Sequence, residues 1–267
     1  MALSPQYYFW QVYEKALESR WFFPGRGRHV FVACFPKSGS TWLTSVLTAC
    51  TGFRFAMFVH RGDENEQYIN EARLRMLGNV HTVTQQHAKG TARNVAVMKR
   101  YGIRPIILTR NIFDTLVSMR DHLVREGTLS STGYVHQRYF DLSEEEQYLY
   151  LARVHAPWYF NFLFSWTEAT CADIEAHWLT YEDLFADPVA GVAGILEFQG
   201  LSVDAARIAS VIAGMDGART RFNKGVAGRG QRLPASAKVA LMDLARCWKA
   251  DPEALARIGI DLGADGK

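Results

Sequence analysis

The stretch Phe31-Val32-Ala33-Cys34-Phe35-Pro36-Lys37-Ser38-Gly39-Ser40-Thr41-Trp42 decides the fold of this protein. An apolar run rich in β-branched and aromatic residues stops at Pro36, and an apolar-periodic segment follows Ser40. This order predicts a buried strand, a tight loop and the first turn of a helix. Such loops point backbone N–H groups at one spot, where the positive end of the helix dipole adds to them. The sequence therefore predicts a site for a phosphate or a group of similar shape.

The side chains of this loop also suit an anion. Lys37 brings a full positive charge, and hydroxyl donors are present at Ser38, Ser40 and Thr41. The loop is not a Walker A sequence, because Lys37 precedes the only glycine, Gly39. On these residues alone, an ordinary turn between a strand and a helix, with hydroxyls that cap the helix, stays an open alternative.

A second polar group follows the apolar run Pro105-Ile106-Ile107-Leu108. Arg110 ends this predicted strand, Asn111 can cap a following helix, and Asp114 can bond back as in a capping box. Ser118 lies about two helical turns beyond Arg110 and close to the same face. An arginine fork with a serine hydroxyl suits a phosphate monoester. The alternative is a surface ion-pair arginine and a serine without a special role.

Both motifs resemble those of one enzyme family. Pro-Lys-Ser-Gly-Ser-Thr-Trp at 36–42 resembles the 5′-phosphosulfate loop of sulfotransferases that use 3′-phosphoadenosine 5′-phosphosulfate (PAPS). Arg-Asn-x-x-Asp-x-x-x-Ser at 110–118 is similar to their 3′-phosphate motif. The similarity extends over most of the chain, in Trp158-Tyr159, Trp166, the Tyr-Glu-Asp segment at 179–184, and Asn-Lys-Gly-x-x-Gly at 223–228. A Lys-x-x-x-Thr-Val-x-x-x-Glu segment typical of many animal cytosolic members is not visible after Gly230, which favours a soluble, bacterial-type branch and leaves the oligomeric state unpredicted.

The resemblance implies PAPS as donor, the bisphosphate PAP as product, and no metal. Lys37 would stabilise charge on the departing 5′-phosphate and, with Ser118, belongs to the implied catalytic group. The other implied ligands of the 5′-phosphate are Ser38, Gly39, Ser40 and Thr41. Trp42 would stack on adenine, with a core tryptophan as the alternative. The residues implied at the 3′-phosphate and near the adenine are Arg110, Ser118, Tyr181, Asn223, Lys224 and Gly225.

His87 is the predicted general base. It follows a predicted strand, at about the separation from Arg110 at which soluble members carry their base in a Lys-Thr-His-Leu-Pro segment. A neutral imidazole near pH 7 suits proton removal from a hydroxyl. His81 and His60 are the fallback candidates.

Three departures from the family pattern stand out. Gln85 occupies the place of a lysine that many relatives direct at the sulfonate. Asn223 replaces the arginine of the Arg-Lys-Gly loop, and Arg221 is a candidate substitute. Arg229-Gly230 replaces a common Asp-Trp pair. The five cations between 219 and 232 are also compatible with a solvated basic loop.

Strands are predicted at 29–35, 79–84, 104–109 and 176–181. Helices are predicted at 5–21, 40–50, from Asn111, at 143–166, 184–198, 203–213 and 235–249. Their alternation predicts an α/β fold, with a P-loop-like central parallel sheet flanked by helices in one domain over 1–267. Ligands of such sheets lie beyond the carboxyl ends of the strands, where the turns at Lys37, Arg110 and Tyr181 fall.

Composition narrows the class of protein further. A chain of 267 residues with 48% apolar and 21% charged residues is typical of a globular protein. A net charge of +3 gives no reason to expect nucleic acid as a partner. The start lacks a basic region followed by an apolar run, and no stretch nears the roughly 18 apolar residues of a membrane span. The four cysteines lack metal-ligand spacing, so a cytoplasmic protein with thiols is expected.

Residues 53–78 and 124–166 are expected to build the pocket of a small-molecule hydroxyl acceptor, because neither stretch carries a cofactor motif. The second is rich in aromatic residues, most of which are expected in the core. One alternative is a P-loop small-molecule kinase with Glu182-Asp183 as Mg²⁺ ligands. The other is a protein that binds the nucleotide without catalysis.

Overall fold

A parallel β-sheet forms the centre of the computed structural model, which describes residues 25–59, 66–127, 131–215, 228–248 and 251–263. The strand order is β2-β3-β1-β4-β5, and every described pairing is parallel. The strands are β1 (His29–Cys34), β2 (Arg54–Phe55), β3 (Thr82–Gln86), β4 (Ile106–Thr109) and β5 (His177–Thr180).

Helices cover both faces of this sheet. In chain order they are α1 (Ser40–Thr51), α2 (Glu71–Met76), α3 (Ala92–Arg100), α4 (Ile112–Glu126), α5 (Glu144–Tyr150), α6 (Ala156–Ala172), α7 (Tyr181–Ala186), α8 (Pro188–Phe198), α9 (Ala205–Met215), α10 (Ala235–Cys247) and α11 (Pro252–Ala256). Two 3₁₀ turns lie at Gln137–Asp141 and Arg229–Arg232, and a π-helical turn at Leu151–His155 joins α5 to α6. None of the helices among the described residues is long and apolar enough to cross a membrane.

The alternation of side chains along β1 explains the two-sided core. Successive residues of a strand point to opposite faces. Val30, Val32 and Cys34 accordingly pack with α1, α8 and α9, whereas Phe31 and Ala33 pack with α3, α4 and α6 on the other face. All six residues of β1 are buried, as expected for the central strand of a sheet covered on both sides.

The predicted α/β fold is confirmed, with differences in detail. All four predicted strands are present, β3 shifted toward the carboxyl end, while the two-residue β2 was missed. The helical segment predicted over 143–166 is confirmed, but a π turn interrupts its α-helical geometry and it extends to Ala172. The helix predicted over 184–198 is also two helices, because Asp187 caps α8 and Pro188 begins it. The helix predicted over 5–21 lies outside the described residues.

Candidate active site

Four polar segments meet at the carboxyl edge of the sheet. The Lys37 loop follows β1, His87 follows β3, Arg110 follows β4 and Tyr181 follows β5. Because β3, β1, β4 and β5 are adjacent and parallel, these residues lie side by side.

The loop between β1 and α1 has an unusual backbone. Lys37 has φ 71° and Gly39 has φ 80°, so two residues of the turn are left-handed. A non-glycine residue in this region is uncommon and typical of functional turns. Ser38 fixes the turn, because its N–H and its hydroxyl both donate to the Phe35 carbonyl, at 3.3 and 2.7 Å. Ser38 is fully buried and shapes the loop through these bonds, and its predicted contact with a ligand stays a prediction.

Helix α1 begins without a side-chain cap. Its N-cap is Gly39, and its first turn holds no acidic residue. By contrast, Thr91 caps α3 and Asn111 caps α4 through their side chains. The N–H groups in the first turn of a helix have no intrahelical acceptors. An uncapped helix start beside a lysine is therefore suited to an anion, and Ser40 and Thr41 stand at this start.

Arg110 lies against this loop. Its Nη1 donates to the Lys37 carbonyl at 2.9 Å, and its guanidinium lies 4.1 Å from the centre of the Tyr181 ring. The residue is only 5% exposed, and its Nε–H has no hydrogen-bond partner among the described residues. Lys37 and Arg110 thus belong to one site. The Nε–H of Arg110 could donate a hydrogen bond to a ligand there.

Asp114 does not close the capping box predicted from the sequence. Asn111 caps α4 alone, accepting from the N–H groups of Phe113 and Asp114. The Asp114 carboxylate instead accepts the N–H groups of Gly228 at 2.8 Å and Gly230 at 2.6 Å. It also lies 3.8 Å from Arg110 Nη2. Asp114 therefore holds the segment after 227 beside Arg110, a role that only the tertiary structure reveals.

Gly230 is required at this contact. A Cβ added there would lie 2.5 Å from the Cβ of Phe113. The neighbouring Arg229 pairs with Asp121 on α4. Arg229 and Gly230, which replace the family's Asp-Trp pair, are thus each bound by a carboxylate of α4. The predicted ligands Asn223, Lys224 and Gly225, and the candidate substitute Arg221, lie outside the described residues.

Removal of the Asp114 charge is expected to destabilise the protein. The Asp114→Asn variant leaves the buried guanidinium of Arg110 without its counter-ion. It also weakens the hydrogen bonds that the backbone N–H groups of Gly228 and Gly230 donate to the side chain. Breaking one side of a buried pair costs about 3–5 kcal/mol, and urea denaturation should show a loss of this size. The control Asp173→Asn removes an exposed carboxylate paired with Lys99 and should cost under about 1 kcal/mol. Equal losses in both variants would refute the anchoring role of Asp114.

Aromatic rings link the loop to β5. A Cβ on Gly39 would meet the Tyr181 ring at 3.1 Å, and Tyr181 packs on Phe185 with ring centres 4.3 Å apart. Phe185 in turn lies 5.0 Å from Trp42. Trp42 is 5% exposed and packs in the core, and its predicted stacking on adenine stays a prediction. Ser118 is also buried, on α4, at 4% exposure.

His87 directly follows β3, and each of its ring nitrogens lies near a polar group. Its Nδ1 is 2.9 Å from the Cys34 carbonyl and 3.6 Å from the Cys34 thiol, while Nε2 is 3.9 Å from the Glu66 carboxylate. The Trp158 ring stands edge-on at 6.3 Å. Burial lowers the pKa of His87, but Cys34 and Glu66 outweigh it and raise the pKa to about 9. A raised pKa favours the imidazolium near pH 7, whereas the sequence analysis expected a neutral ring, and the role of His87 as the base stays a prediction.

The fallback base His81 is at the wrong edge. It precedes β3, accepts the Arg28 N–H at Nδ1 and stacks on Phe53. This places it at the amino end of the sheet, away from Lys37. His60 lies outside the described residues. Gln85, in the place of the family's lysine, is the acceptor of a 3.4 Å bond from the Thr44 hydroxyl of α1.

The sequence of this chain matches a known protein family over most of its length. A model of the sulfotransferase domain matches residues 27–224, well over half of the chain. The chain belongs to the sulfotransferase family. The match confirms the family and the enzyme class predicted from the sequence. No curated protein matches the chain at a significant level.

Solved structures with a TM-score above 0.5 share the fold of this sulfotransferase. Mouse sulfotransferase SULT7A1, crystallised with PAP, is 18% identical, with 88% of each chain covered and a TM-score of 0.63. Retinol dehydratase, in a complex with retinol and PAP, is 15% identical, with 89% of this chain and 84% of that chain covered and a TM-score of 0.58. A sulfotransferase from Alicyclobacillus acidocaldarius is 17% identical, with 90% of this chain and 98% of that chain covered and a TM-score of 0.46.

The carboxylates of the kinase alternative are engaged separately. Glu182 accepts the Asn111 N–H at 3.1 Å, and burial raises its pKa. Asp183 accepts the Thr180 hydroxyl at 2.6 Å in the cap of α7. The two carboxylates serve different partners rather than one shared point, so their geometry gives no support to a Mg²⁺ pair.

Most of the aromatic residues in the described part of the stretch 124–166 pack in the core, as expected. Fully or almost fully buried are Tyr139, Tyr148, Tyr159, Phe160, Phe162 and Trp166. Trp158, 8% exposed, belongs to the same core and also lies beside His87, with its ring centre 5.3 Å from the Lys89 ammonium. Its indole N–H is buried without a hydrogen-bond partner in the described part of the chain.

Proposed function

We propose that the protein transfers a sulfuryl group from PAPS to a hydroxyl of a small-molecule acceptor. The observation that carries the proposal is the uncapped start of α1, with Arg110 against its loop and His87 at the end of the adjacent strand. The anion-binding backbone, the second cation and the base thus share one edge of the sheet.

The residues present fit a nucleotide with phosphates at both its 5′ and 3′ positions. The N–H groups in the first turn of α1, which no side chain caps, suit the 5′-phosphate, with Lys37, Ser40 and Thr41 around it. The unpartnered Nε–H of Arg110 suits the 3′-phosphate, with Ser118 on the same helix side and Asn223, Lys224 and Gly225 preceding the anchored Gly228. The Tyr181 ring packs against the Arg110 guanidinium and would lie next to the bound nucleotide.

The residues of the chain contribute to the reaction by stabilising charge, removing a proton and positioning the reactants. When bound, PAPS supplies a sulfuryl group on a phosphate leaving group. Lys37 and the N–H groups of α1 stabilise the negative charge that develops on that leaving oxygen. His87 Nε2 removes the acceptor proton, and the loops hold both reactants in line. The proton passes to His87 when its ring is neutral, so the rate should rise with pH toward about 9.

The acceptor is proposed to be an apolar alcohol or phenol. The Trp158 ring lies edge-on beside His87, and Tyr68, 47% exposed, lies on the segment that follows Glu66. Structural neighbours have been crystallised with retinol and with androsterone, which are apolar molecules that carry a hydroxyl. An apolar wall beside a base is suited to such acceptors.

Calorimetry should show that PAP binds more tightly than ADP. The 3′-phosphate of PAP adds a charge-assisted contact to Arg110, and such bonds are worth about 1.5–3 kcal/mol, or roughly tenfold to a hundredfold in Kd. The Arg110→Met variant should lose this preference, while the control Arg93→Met, on the exposed side of α3, should keep it. Equal affinity for PAP and ADP in the unchanged protein would contradict the proposed donor, as would label transfer from ATP in place of PAPS.

A further inference from the structure

Glu66 adopts a backbone conformation that needs external support. Its φ is 53°, in the left-handed region that non-glycine residues seldom occupy. The amide of Gln86 provides the support, donating to the carbonyls of Glu66 at 3.2 Å and Tyr68 at 2.9 Å. Gln86 is fully buried at the end of β3. The last residue of the strand that carries His87 thus holds Glu66 in a strained conformation, which is typical of a functional position.

The carboxylate of Glu66 is directed at His87. Its Oε2 accepts the His87 backbone N–H at 3.3 Å and lies 3.9 Å from Nε2. The other ring nitrogen, Nδ1, lies 2.9 Å from the Cys34 carbonyl, which can only accept, so Nδ1 carries a proton. In the neutral ring Nε2 is therefore the basic nitrogen. The one nitrogen that can take a proton is the one beside Glu66.

We propose that Glu66 is a positioning residue for the base, which fixes the His87 ring and stabilises the imidazolium formed during sulfuryl transfer. The inference rests on the proposed function. As the acceptor oxygen bonds to sulfur, its O–H bond breaks and the proton forms an N–H bond at Nε2. The S–O bond to the donor phosphate breaks, and the phosphate oxygen keeps the electron pair. Glu66 then faces a full positive charge on the protonated ring. Its place differs from that of the aspartate in a catalytic triad, which bonds the ring nitrogen opposite the one that takes the proton.

The other groups around His87 do not duplicate this charge. Cys34 contributes a thiol and a carbonyl from β1, and Trp158 contributes a ring edge from α6. Lys89 lies over that ring and is a cation, which disfavours the imidazolium. Among the described residues, Glu66 is the carboxylate that pairs with His87. Its removal should therefore act on the protonation of His87 directly.

The test is the Glu66→Gln variant, followed by two titrations. NMR of the His87 ring in the free protein, assigned by the resonance that His87→Ala lacks, gives its pKa without any turnover. The pH profile of kcat/KM gives the midpoint of the acid limb. Loss of an opposite charge at this distance should lower the His87 pKa by about 1 unit, shift the midpoint down equally, and lower the rate reached at high pH. Glu66→Asp should fall between Gln and the unchanged protein.

The control is Glu71→Gln, a carboxylate of α2 that pairs with Arg75 and Arg100 rather than with a histidine. It should leave both the His87 pKa and the midpoint unchanged. A Glu66→Gln variant with lower rates at every pH but an unshifted His87 pKa would overturn the inference, since a purely structural residue behaves in that way. Full activity of His87→Ala would instead remove His87 from the proposed function, and the NMR titration would still decide whether Glu66 sets its pKa.

Discussion

Replacement of Lys37 by alanine is expected to lower kcat for sulfuryl transfer by about 10²–10³-fold, the range seen when one preorganised charge stabiliser is removed. Lys37 stands in the left-handed turn before α1, where the helix start has no side-chain cap. Its charge matters most as the leaving phosphate becomes more negative, so the loss should fall on kcat more than on PAP binding. The N–H groups of α1 stay in place and retain much of the affinity for the nucleotide.

Three measurements separate this role from a general charge effect. The rate with labelled PAPS should fall, PAP affinity by calorimetry should weaken by much less, and the midpoint of urea unfolding should stay close to that of the unchanged protein. The matched control is Lys99→Ala, which removes an exposed lysine paired with Asp173 on the far side of α3. A Lys37→Ala enzyme that keeps more than about half of its kcat would disprove the assignment of Lys37 to the leaving group.

The fold could be predicted from sequence because its signals are local. The apolar run of β1 and the abrupt change at Pro36 identify a buried strand and a turn. The same kind of signal identified β4 and the helix cap at Asn111. Since parallel strands align their carboxyl ends, the convergence of Lys37, Arg110 and Tyr181 followed from the topology alone. The short β2 escaped because two exposed residues carry no pattern.

The parts of the site that could not be predicted from the sequence depend on contacts between segments distant in the chain. Asp114 was interpreted as a local capping residue, but it bonds to Gly228 and Gly230, more than a hundred residues later. The glycine spacing there was the available signal, and it does not name a partner. Glu66 belongs to no motif, and its relation to His87 arises only when Gln86 fixes its backbone. The raised pKa of His87 likewise comes from neighbours that the sequence does not place together.

Replacement of His87 by alanine should reduce kcat by about 10²–10⁴-fold, the usual contribution of a general base. PAP binding should persist, because the proposed phosphate ligands follow β1 and β4 whereas His87 follows β3. The residual activity should also lose the acid limb near pH 9, since its titrating group is gone. His87 gains its proton as pH falls below its raised pKa, so the unchanged enzyme should be faster at pH 9 than at pH 7.

The control for this variant is His81→Ala, which removes an imidazole from the opposite end of the same strand. It should leave kcat and the pH profile intact, because His81 lies at the amino edge of the sheet. Steady-state rates with PAPS from pH 6 to 10 compare the two variants directly. If His87→Ala kept an unchanged acid limb, another group would be the base, and Nε2 beside Glu66 would have no part in proton transfer. The loss of the limb in one histidine variant and its retention in the other would tie the chemistry to the carboxyl edge of β3.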